Sequence, residues 1–196
     1  MGPRPWSGRV FIGMSLDGYI ARPDGSIDWL TDAAERPHIA ATTAHPALVW
    51  ETFFPNVDTV VMGRSTYETV SKFPQWPFAN KNVIVLSSHP RTDPRVRSAR
   101  TLDEAGMLLA EAGAKDVYID GGRTIQSFLA AGLIDEITVS IAPVLLGRGR
   151  RLFGDLPADI LLTLQGHHAT AADGLVRATY AVAVRSRRDS NARHPL

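Results

Sequence analysis

Small polar residues follow three apolar segments of the chain, and their types are suited to binding phosphate. The three apolar segments and the polar residues that follow them are 58–62 with 63–66, 82–86 with 87–88, and 116–120 with 121–124. The carboxyl ends of parallel strands form a crevice where ligands collect, and glycine-rich helix N-termini hold phosphate through N–H groups and the helix dipole. Two such ends would suit a dinucleotide's pyrophosphate. The alternative is that each glycine only permits a tight turn.

The segment after the first of these strands has two further features. Arg64 supplies a planar cation that can hold a phosphate through two hydrogen bonds. Ser65 and Glu68 have the S-x-x-E spacing of a capping box, which predicts a helix with Ser65 as its cap. The glycine spacing does not match G-x-G-x-x-G, so a Rossmann site is not predicted.

Composition excludes several classes of function. The 196 residues carry a formal net charge of +1, which gives no electrostatic reason to expect a nucleic-acid or membrane partner. Cysteine is absent, which excludes disulfides, thiol catalysis and zinc–thiolate sites. Residues 1–6 lack the apolar segment of a secretory signal, and no run is long enough to span a membrane. We therefore expect a cytoplasmic protein.

The elements that must position these residues alternate between strands and helices. Strands are predicted at 9–14, 58–62, 82–86, 116–120, 136–143, 161–166 and 175–184, and helices at 47–53, after 64, at 102–111 and from 125 to about 132. The last two strands are antiparallel across an Asp173-Gly174 turn. This order predicts one α/β domain over 9–184, with a mixed, mostly parallel sheet covered on both faces. Residues 1–8 are expected to be a flexible lead, and 185–196 a flexible basic tail.

Several segments, taken as a set, resemble one reductase superfamily. Residues 61–68, 81–88 and 119–123 resemble the three cofactor motifs of dihydrofolate reductases, in the same order. Residues 15–21, 25–30, 132–136 and 141–147 resemble the reductase domain of the riboflavin-biosynthesis protein RibD. The resemblance covers roughly 10–184. It implies a dihydrofolate reductase-like, three-layer α/β/α fold and a stand-alone member of the RibD C-terminal domain family.

The resemblance implies an NADPH-dependent reductase. On its pattern Arg64 and Ser87 hold the 2′-phosphate with Ser88 nearby, and Gly13 and Ile20 lie against the nicotinamide. The pyrophosphate would be held by Thr66, Gly121, Gly122, Arg123 and Thr124. The remaining members of the implied cofactor site are Gly63, Ser65, Leu86, Ile119 and Ile125. A fixed cation beside hydroxyl donors is also what a 2′-phosphate requires chemically.

The substrate side is less determined. The resemblance implies a pteridine or pyrimidine heterocycle, as for dihydrofolate reductase and 5-amino-6-(5-phosphoribosylamino)uracil reductase. Hydride transfer leaves an anionic atom that needs a proton, and the candidate donors are Asp28 and Glu51. Asp17 is a candidate substrate contact, and Trp29 a candidate wall for a flat ring.

Departures from both parent activities leave the substrate undetermined. Tyr19 stands where the RibD reductases usually carry a basic residue, and their Asp-Asp-Pro segment is not visible. A rival hypothesis is therefore a nucleotide-binding protein of the same fold without catalytic activity.

Two further motifs contain residue types that can bind a metal ion or nucleic acid. His167 and His168 are adjacent, and neighbouring side chains on a strand face opposite ways, so no metal site is predicted. The loop 145–151 carries three arginines that could contact nucleic acid. We expect instead an ordinary loop, and the resemblance to RibD implies a homodimer contact near it.

Overall fold

A nine-stranded sheet and a separate two-stranded ribbon form the framework. The structure is a computed structural model and describes residues 4–31, 42–45, 47–89, 92–156, 159–169 and 173–183. The strands are β1 Ser7–Ser15, β2 Tyr19–Ala21, β3 Thr42–His45, β4 Thr59–Gly63, β5 Asn82–Leu86, β6 Arg97–Ala99, β7 Asp116–Asp120, β8 Glu136–Ala142, β9 Arg150–Arg151, β10 Leu162–Ala169 and β11 Val176–Val182. The helices are α1 Asp28–Thr31, α2 Trp50–Phe53, α3 Arg64–Val70, α4 Leu102–Glu111 and α5 Gly122–Ala130, and a 3₁₀ turn, Phe54–Asn56, follows α2.

The sheet is mixed and mostly parallel, which confirms the predicted fold class. Its strand order is β3-β10-β11-β8-β1-β7-β4-β5-β6. The strands from β8 to β6 run parallel, whereas β11, β10 and β3 continue the sheet in antiparallel pairs. The ribbon joins β2 to β9 and was not predicted, because two- and three-residue strands leave no periodic pattern.

Two apolar cores lie on opposite faces of the sheet because strand side chains alternate. On β4, Val60 and Met62 pack with Phe53 and the side of α2 and α3, whereas Val61 belongs to the other core with residues of α4 and α5. This three-layer arrangement explains why the central strands are continuous apolar runs. Among the helices within the described ranges, none is both long and apolar enough to cross a membrane.

The amino-terminal region differs from the predicted lead of residues 1–8. β1 already begins at Ser7, whose N–H group donates to the Lys115 carbonyl oxygen at 2.7 Å. Trp6 is 7% exposed, and the Arg4 guanidinium lies 4.5 Å from its ring centroid. Arg4 also forms an ion pair with Asp135. Burial of the Trp6 ring in the apolar core therefore fixes the position of residues 4–8. The predicted tail at 185–196 lies outside the described residues.

The predicted cap of α3 is wrong. The helix begins at Arg64, and its N-cap is Gly63, which has no side chain that could accept a cap bond. Ser65 therefore lies inside the first turn. A side-chain cap occurs at α4 instead, where Thr101 is the N-cap. Thr101 Oγ1 accepts from the Glu104 N–H group at 3.1 Å, and the Glu104 carboxylate accepts from the Arg100 N–H group at 2.6 Å.

Replacing Thr101 by Ala should lower the free energy of unfolding by about 1 kcal/mol, because a free N–H group of α4 loses its acceptor. Ser65→Ala is the matched control and should change it by less than about 0.5 kcal/mol, since Ser65 is exposed and caps nothing. Urea unfolding of both variants measures the difference. Equal effects would mean that the cap is assigned to the wrong helix.

Candidate functional site

The carboxyl ends of β4, β5 and β7 lie side by side, as the strand order requires. Gly63 pairs with Leu86 in the β4–β5 ladder, and Met62 pairs with Asp120 in the β4–β7 ladder. The residues that follow these positions therefore leave the sheet at one edge. The three polar segments that the sequence places far apart are neighbours in the fold.

The turns at Gly63 and Gly121 interlock. A Cβ atom on Gly63 would lie 2.8 Å from Thr124 Oγ1, and a Cβ atom on Gly121 would overlap Thr66 Oγ1. Gly121 also has φ +88°, a conformation that other residues rarely adopt. Each threonine thus occupies the space that the facing glycine leaves open. The two strand-to-helix turns therefore pack against each other, which brings the N-terminus of α5 beside the start of α3.

The residues implied for the 2′-phosphate are close to this surface. Arg64 directly follows Gly63, and its side chain is 54% exposed, with Glu68 Oε1 3.5 Å from its Nε atom. Ser87 follows Leu86, is buried, and donates its N–H group to the Ala99 carbonyl oxygen at 2.8 Å. The neighbouring Ser88 is exposed. The Ser87 hydroxyl accepts from the His89 N–H group at 3.1 Å and Ser88 Oγ lies 3.0 Å from His89 Nδ1, so an anion held here would compete with these partners and with Glu68.

The other implied cofactor residues differ in exposure. Arg123 is exposed, whereas Ile119 and Ile125 are fully buried and belong to the core beneath the surface. A Cβ atom on Gly122 would lie 2.9 Å from Ile20 Cδ1, so β2 crosses the start of α5. Gly13 is covered by the Leu30 side chain.

The candidate carboxylates Asp28 and Asp17 have local partners. Asp28 Oδ1 accepts from Arg22 Nε at 2.8 Å, and this bond lowers the pKa of Asp28 despite the opposing effect of desolvation. Asp17 holds the loop after β8, because its carboxylate accepts from the Leu146 and Gly147 N–H groups at 3.2 and 2.7 Å. Hydrogen bonding, chiefly from Ser15, lowers the pKa of Asp17. Carboxylates that stay ionised are poor proton donors at neutral pH.

Trp29, the candidate wall for a flat ring, is a core residue, whereas Trp50 is exposed. Trp29 is 8% exposed and packs with Ala142 and Leu175, so its ring belongs to a core cluster. Trp50 of α2 is 38% exposed. Its ring lies edge-on to those of Phe11 and Tyr118, with centroids 5.5 and 5.8 Å away.

The other candidate donor, Glu51, lies beside Trp50 on α2 and is exposed. Its carboxylate remains a sequence-based candidate.

Asp120 is the ionisable residue that the sequence reasoning did not select. It ends β7, directly before Gly121, whose N–H group donates to Asp120 Oδ1 at 2.7 Å. Burial raises the pKa of Asp120 to about 6, against the opposing effects of the Gly121 N–H group and the Tyr118 hydroxyl. Burial, and then the charge of Asp120, raises the pKa of Tyr118. Such a carboxyl group can exchange protons near neutral pH.

A sequence signal for Asp120 exists. Residues 117–119 form an apolar run, so an acidic residue that continues the strand must end at the sheet edge or be buried. Strand alternation also places Asp120 on the face of Tyr118, which is the face that Trp50 covers.

The parts of the chain that the structure describes contain no group of three His, Cys, Asp or Glu residues that could hold a metal ion.

Known proteins share the sequence pattern and the fold of this chain. The family model of the RibD C-terminal domain matches residues 7–176. The chain belongs to the RibD C-terminal domain family. This family has a dihydrofolate reductase-like fold, which confirms the resemblance, and the match spans every strand from β1 to β10 and the first residue of β11.

Three relatives of this RibD C-terminal domain protein illustrate the range of the family. The uncharacterized protein YwjB of Bacillus subtilis is 33% identical over 164 residues, which cover 80% of this chain and 88% of YwjB. A crystal structure of a Shewanella sp. PV-4 protein named for riboflavin biosynthesis has 34% identity and a TM-score of 0.73, and covers 90% of this chain and 99% of that one. Dihydrofolate reductase HdrB of Haloferax volcanii is 27% identical over 64% of this chain and 62% of its own.

Asp120→Asn should stabilise the protein at pH 7.5 by roughly 1–3 kcal/mol. The folded pKa of about 6 exceeds the ordinary value of 3.8, so the folded state binds the proton more tightly than the unfolded state. Wild-type stability therefore falls as the pH rises from about 4 to about 6, and the asparagine variant lacks this loss. Urea unfolding between pH 4 and 8 measures it. A difference between the two proteins that is independent of pH would contradict the raised pKa.

Proposed function

We propose that this protein is an NADPH-dependent reductase that transfers hydride to a small heterocycle of pteridine or pyrimidine type. The observation that carries the proposal is the pair of interlocked glycine turns with Asp120 at their side. Membership of a reductase-type family and the named activity of HdrB support it.

The cofactor would be held by residues that are already in place. Gly121, Gly122 and Thr124 would contact the pyrophosphate, because they form the N-terminal turn of α5, where backbone N–H groups lack partners within the helix. Arg64, with Ser87 and Ser88, would hold the 2′-phosphate. When bound, NADPH supplies the hydride.

Asp120 is the proposed proton donor. Hydride arriving at the carbon of a C=N bond leaves the electron pair on nitrogen, which must take a proton. A carboxyl group with a pKa of about 6 is protonated in an appreciable fraction of molecules at neutral pH and regains its proton from solvent. The exposed indole of Trp50, on the same face as Asp120, supplies a flat apolar surface for a heterocycle.

Steady oxidation of NADPH with a panel of dihydropterins, pyrimidines and carbonyl compounds tests the activity. Turnover with at least one acceptor is expected. Binding of NADPH without turnover of any acceptor would favour the rival hypothesis of a non-catalytic nucleotide-binding protein. Failure to bind either nicotinamide cofactor would overturn both.

Arg64→Ala should raise the KM for NADPH about ten- to a hundredfold, because a charge-assisted hydrogen bond to phosphate contributes about 1.5–3 kcal/mol. The KM for NADH, which lacks the 2′-phosphate, should change less than about threefold on the same argument. Arg97→Ala is the control. Arg97 is an exposed arginine that pairs with Glu111, and it lies at the amino end of β6, whereas the candidate site lies at the carboxyl ends of the strands. Equal effects of Arg64→Ala on the two cofactors would contradict the assigned role.

Asp120→Asn should lower kcat by about a hundred- to ten-thousandfold while leaving the Kd for NADPH unchanged, because a positioned general acid contributes about that factor. In the wild type, kcat should also decline as the pH rises above about 6, where Asp120 loses its proton. Asp28→Asn is the matched control, and its kcat should stay within about threefold, since Asp28 is ion-paired with Arg22. A full loss in the Asp28 variant would move the donor role there.

A further inference from the structure

Helix α2 is too short to hold its own position. It has four residues, and its cap, Val49, makes no side-chain cap bond. Helices of this length are not stable in isolation, so contacts from elsewhere in the fold must fix it. Its orientation matters because its first residue, Trp50, is exposed and lies against Tyr118, on the same face of the sheet as Asp120.

Two buried side chains of the antiparallel strands supply such contacts. His168 of β10 is 6% exposed, and its Nδ1 atom accepts from the Ala47 N–H group at 3.1 Å. Thr179 of β11 is also buried, and its Oγ1 atom accepts from the Leu48 N–H group at 3.1 Å. Two consecutive N–H groups just before α2 are therefore held by the sheet. We call His168 and Thr179 the α2 clamp.

The clamp is supported from behind. Thr179 Oγ1 lies 2.9 Å from Thr138 Oγ1 of β8, so both threonine hydroxyls share a buried hydrogen bond. His168 pairs with Arg177 across the β10–β11 ladder, and side chains of directly paired residues share a face. The acceptors are therefore fixed by the central part of the sheet.

Only a neutral imidazole can act in this clamp. The Nδ1 atom accepts a hydrogen bond, which places the ring proton on Nε2. Protonation would set one N–H group against another. The charged and titratable groups near the ring are Arg177, which forms an ion pair with Asp173, and the exposed neighbour His167. Burial, and then the charge of Arg177, lowers the pKa of His168, which keeps the ring neutral at pH 7.

The position of α2 determines where the Trp50 ring lies. That ring stacks on Phe54 with centroids 4.6 Å apart and lies edge-on to Tyr118. A shift of the helix entry would therefore move the indole relative to Tyr118 and Asp120. The clamp is thus connected to the region around Asp120 through the ring contacts of Trp50 with Phe54 and Tyr118.

We propose that His168 is a positioning residue, which with Thr179 fixes the entry to α2 and so holds Trp50 as the wall of the substrate pocket. The part that concerns a substrate rests on the proposed function. The clamp itself does not, because its hydrogen bonds exist without any ligand. Acidification below the ordinary histidine range releases the Ala47 N–H group and loosens the wall.

Amide hydrogen exchange of Ala47 and Leu48 in the full-length protein tests the clamp. His168→Leu removes the acceptor, so Ala47 should exchange at least tenfold faster at pH 7, whereas protected amides of β4 and β7 should be unchanged. His168→Asn keeps an acceptor oxygen near the Nδ1 position and should restore protection. His167→Asn, at the exposed neighbour, is the matched control. Unchanged protection of Ala47 in His168→Leu would overturn the proposal.

A second variant keeps the test decisive if His168→Leu does not fold. Thr179→Val removes only the hydroxyl, and should speed the exchange of Leu48 at least tenfold, whereas Thr179→Ser should not. In the wild type, protection of Ala47, corrected for the intrinsic pH dependence of exchange, should fall as the pH drops below 6.5. In His168→Asn it should stay constant. The same pH dependence in both proteins would exclude the imidazole as its cause.

The link to Trp50 has its own measurement. Near-ultraviolet circular dichroism of wild type minus Trp50→Phe isolates the band of the fixed indole, and Thr179→Val or His168→Leu should lose that band. Retention of the band with faster amide exchange would overturn the positioning role. In the reductase assay with 7,8-dihydropterin, the same variants should raise KM about tenfold at constant kcat. If no panel acceptor is reduced, the proposed function fails, while exchange and dichroism still decide the clamp.

Discussion

The contact that fixes the candidate site is the close approach of two strand-to-helix turns, in which each threonine occupies the space beside the facing glycine. Thr124 fills the space at Gly63, and Thr66 fills the space at Gly121. A side chain on either glycine would force the facing threonine to move. The same contact brings the N-terminal turn of α5 beside the start of α3. Packing of the two turns and the proposed cofactor site therefore involve the same residues.

The two faces of the sheet differ strongly in polarity next to this contact. On one face, apolar residues such as Ile119 and Ile125 are fully buried beneath the cofactor surface. On the other face, Asp120 and Tyr118 bring ionisable groups into a setting of aromatic rings. Burying a carboxyl group costs free energy that an apolar residue would not. A fold that keeps such a group beside its glycine turns is consistent with a chemical use for it, since active sites commonly lower stability.

The sequence predicted the central elements well, because their patterns are strong. The bounds 82–86, 116–120 and 102–111 match β5, β7 and α4, since the apolar runs 83–86 and 117–119 and one clear amphipathic helix leave little choice. Local hydrogen bonding was predicted less well. The N-cap of α3 is Gly63, and not Ser65 as the S-x-x-E spacing predicts. The short strands β2, β6 and β9 have no pattern of their own and exist through tertiary pairing. Trp29 is buried and Trp50 is exposed, and no local sequence pattern predicts that difference.

The pairing of β1 has a consequence for biosynthesis. This first strand pairs Arg9 with Tyr118 and Val10 with Ile137, so its partners follow it by more than a hundred positions. A nascent chain leaving the ribosome therefore carries an apolar strand that has no neighbour until most of the polypeptide has been translated. Such late closure slows folding and exposes the strand to aggregation. We expect chaperone capture during synthesis to centre on residues 7–15.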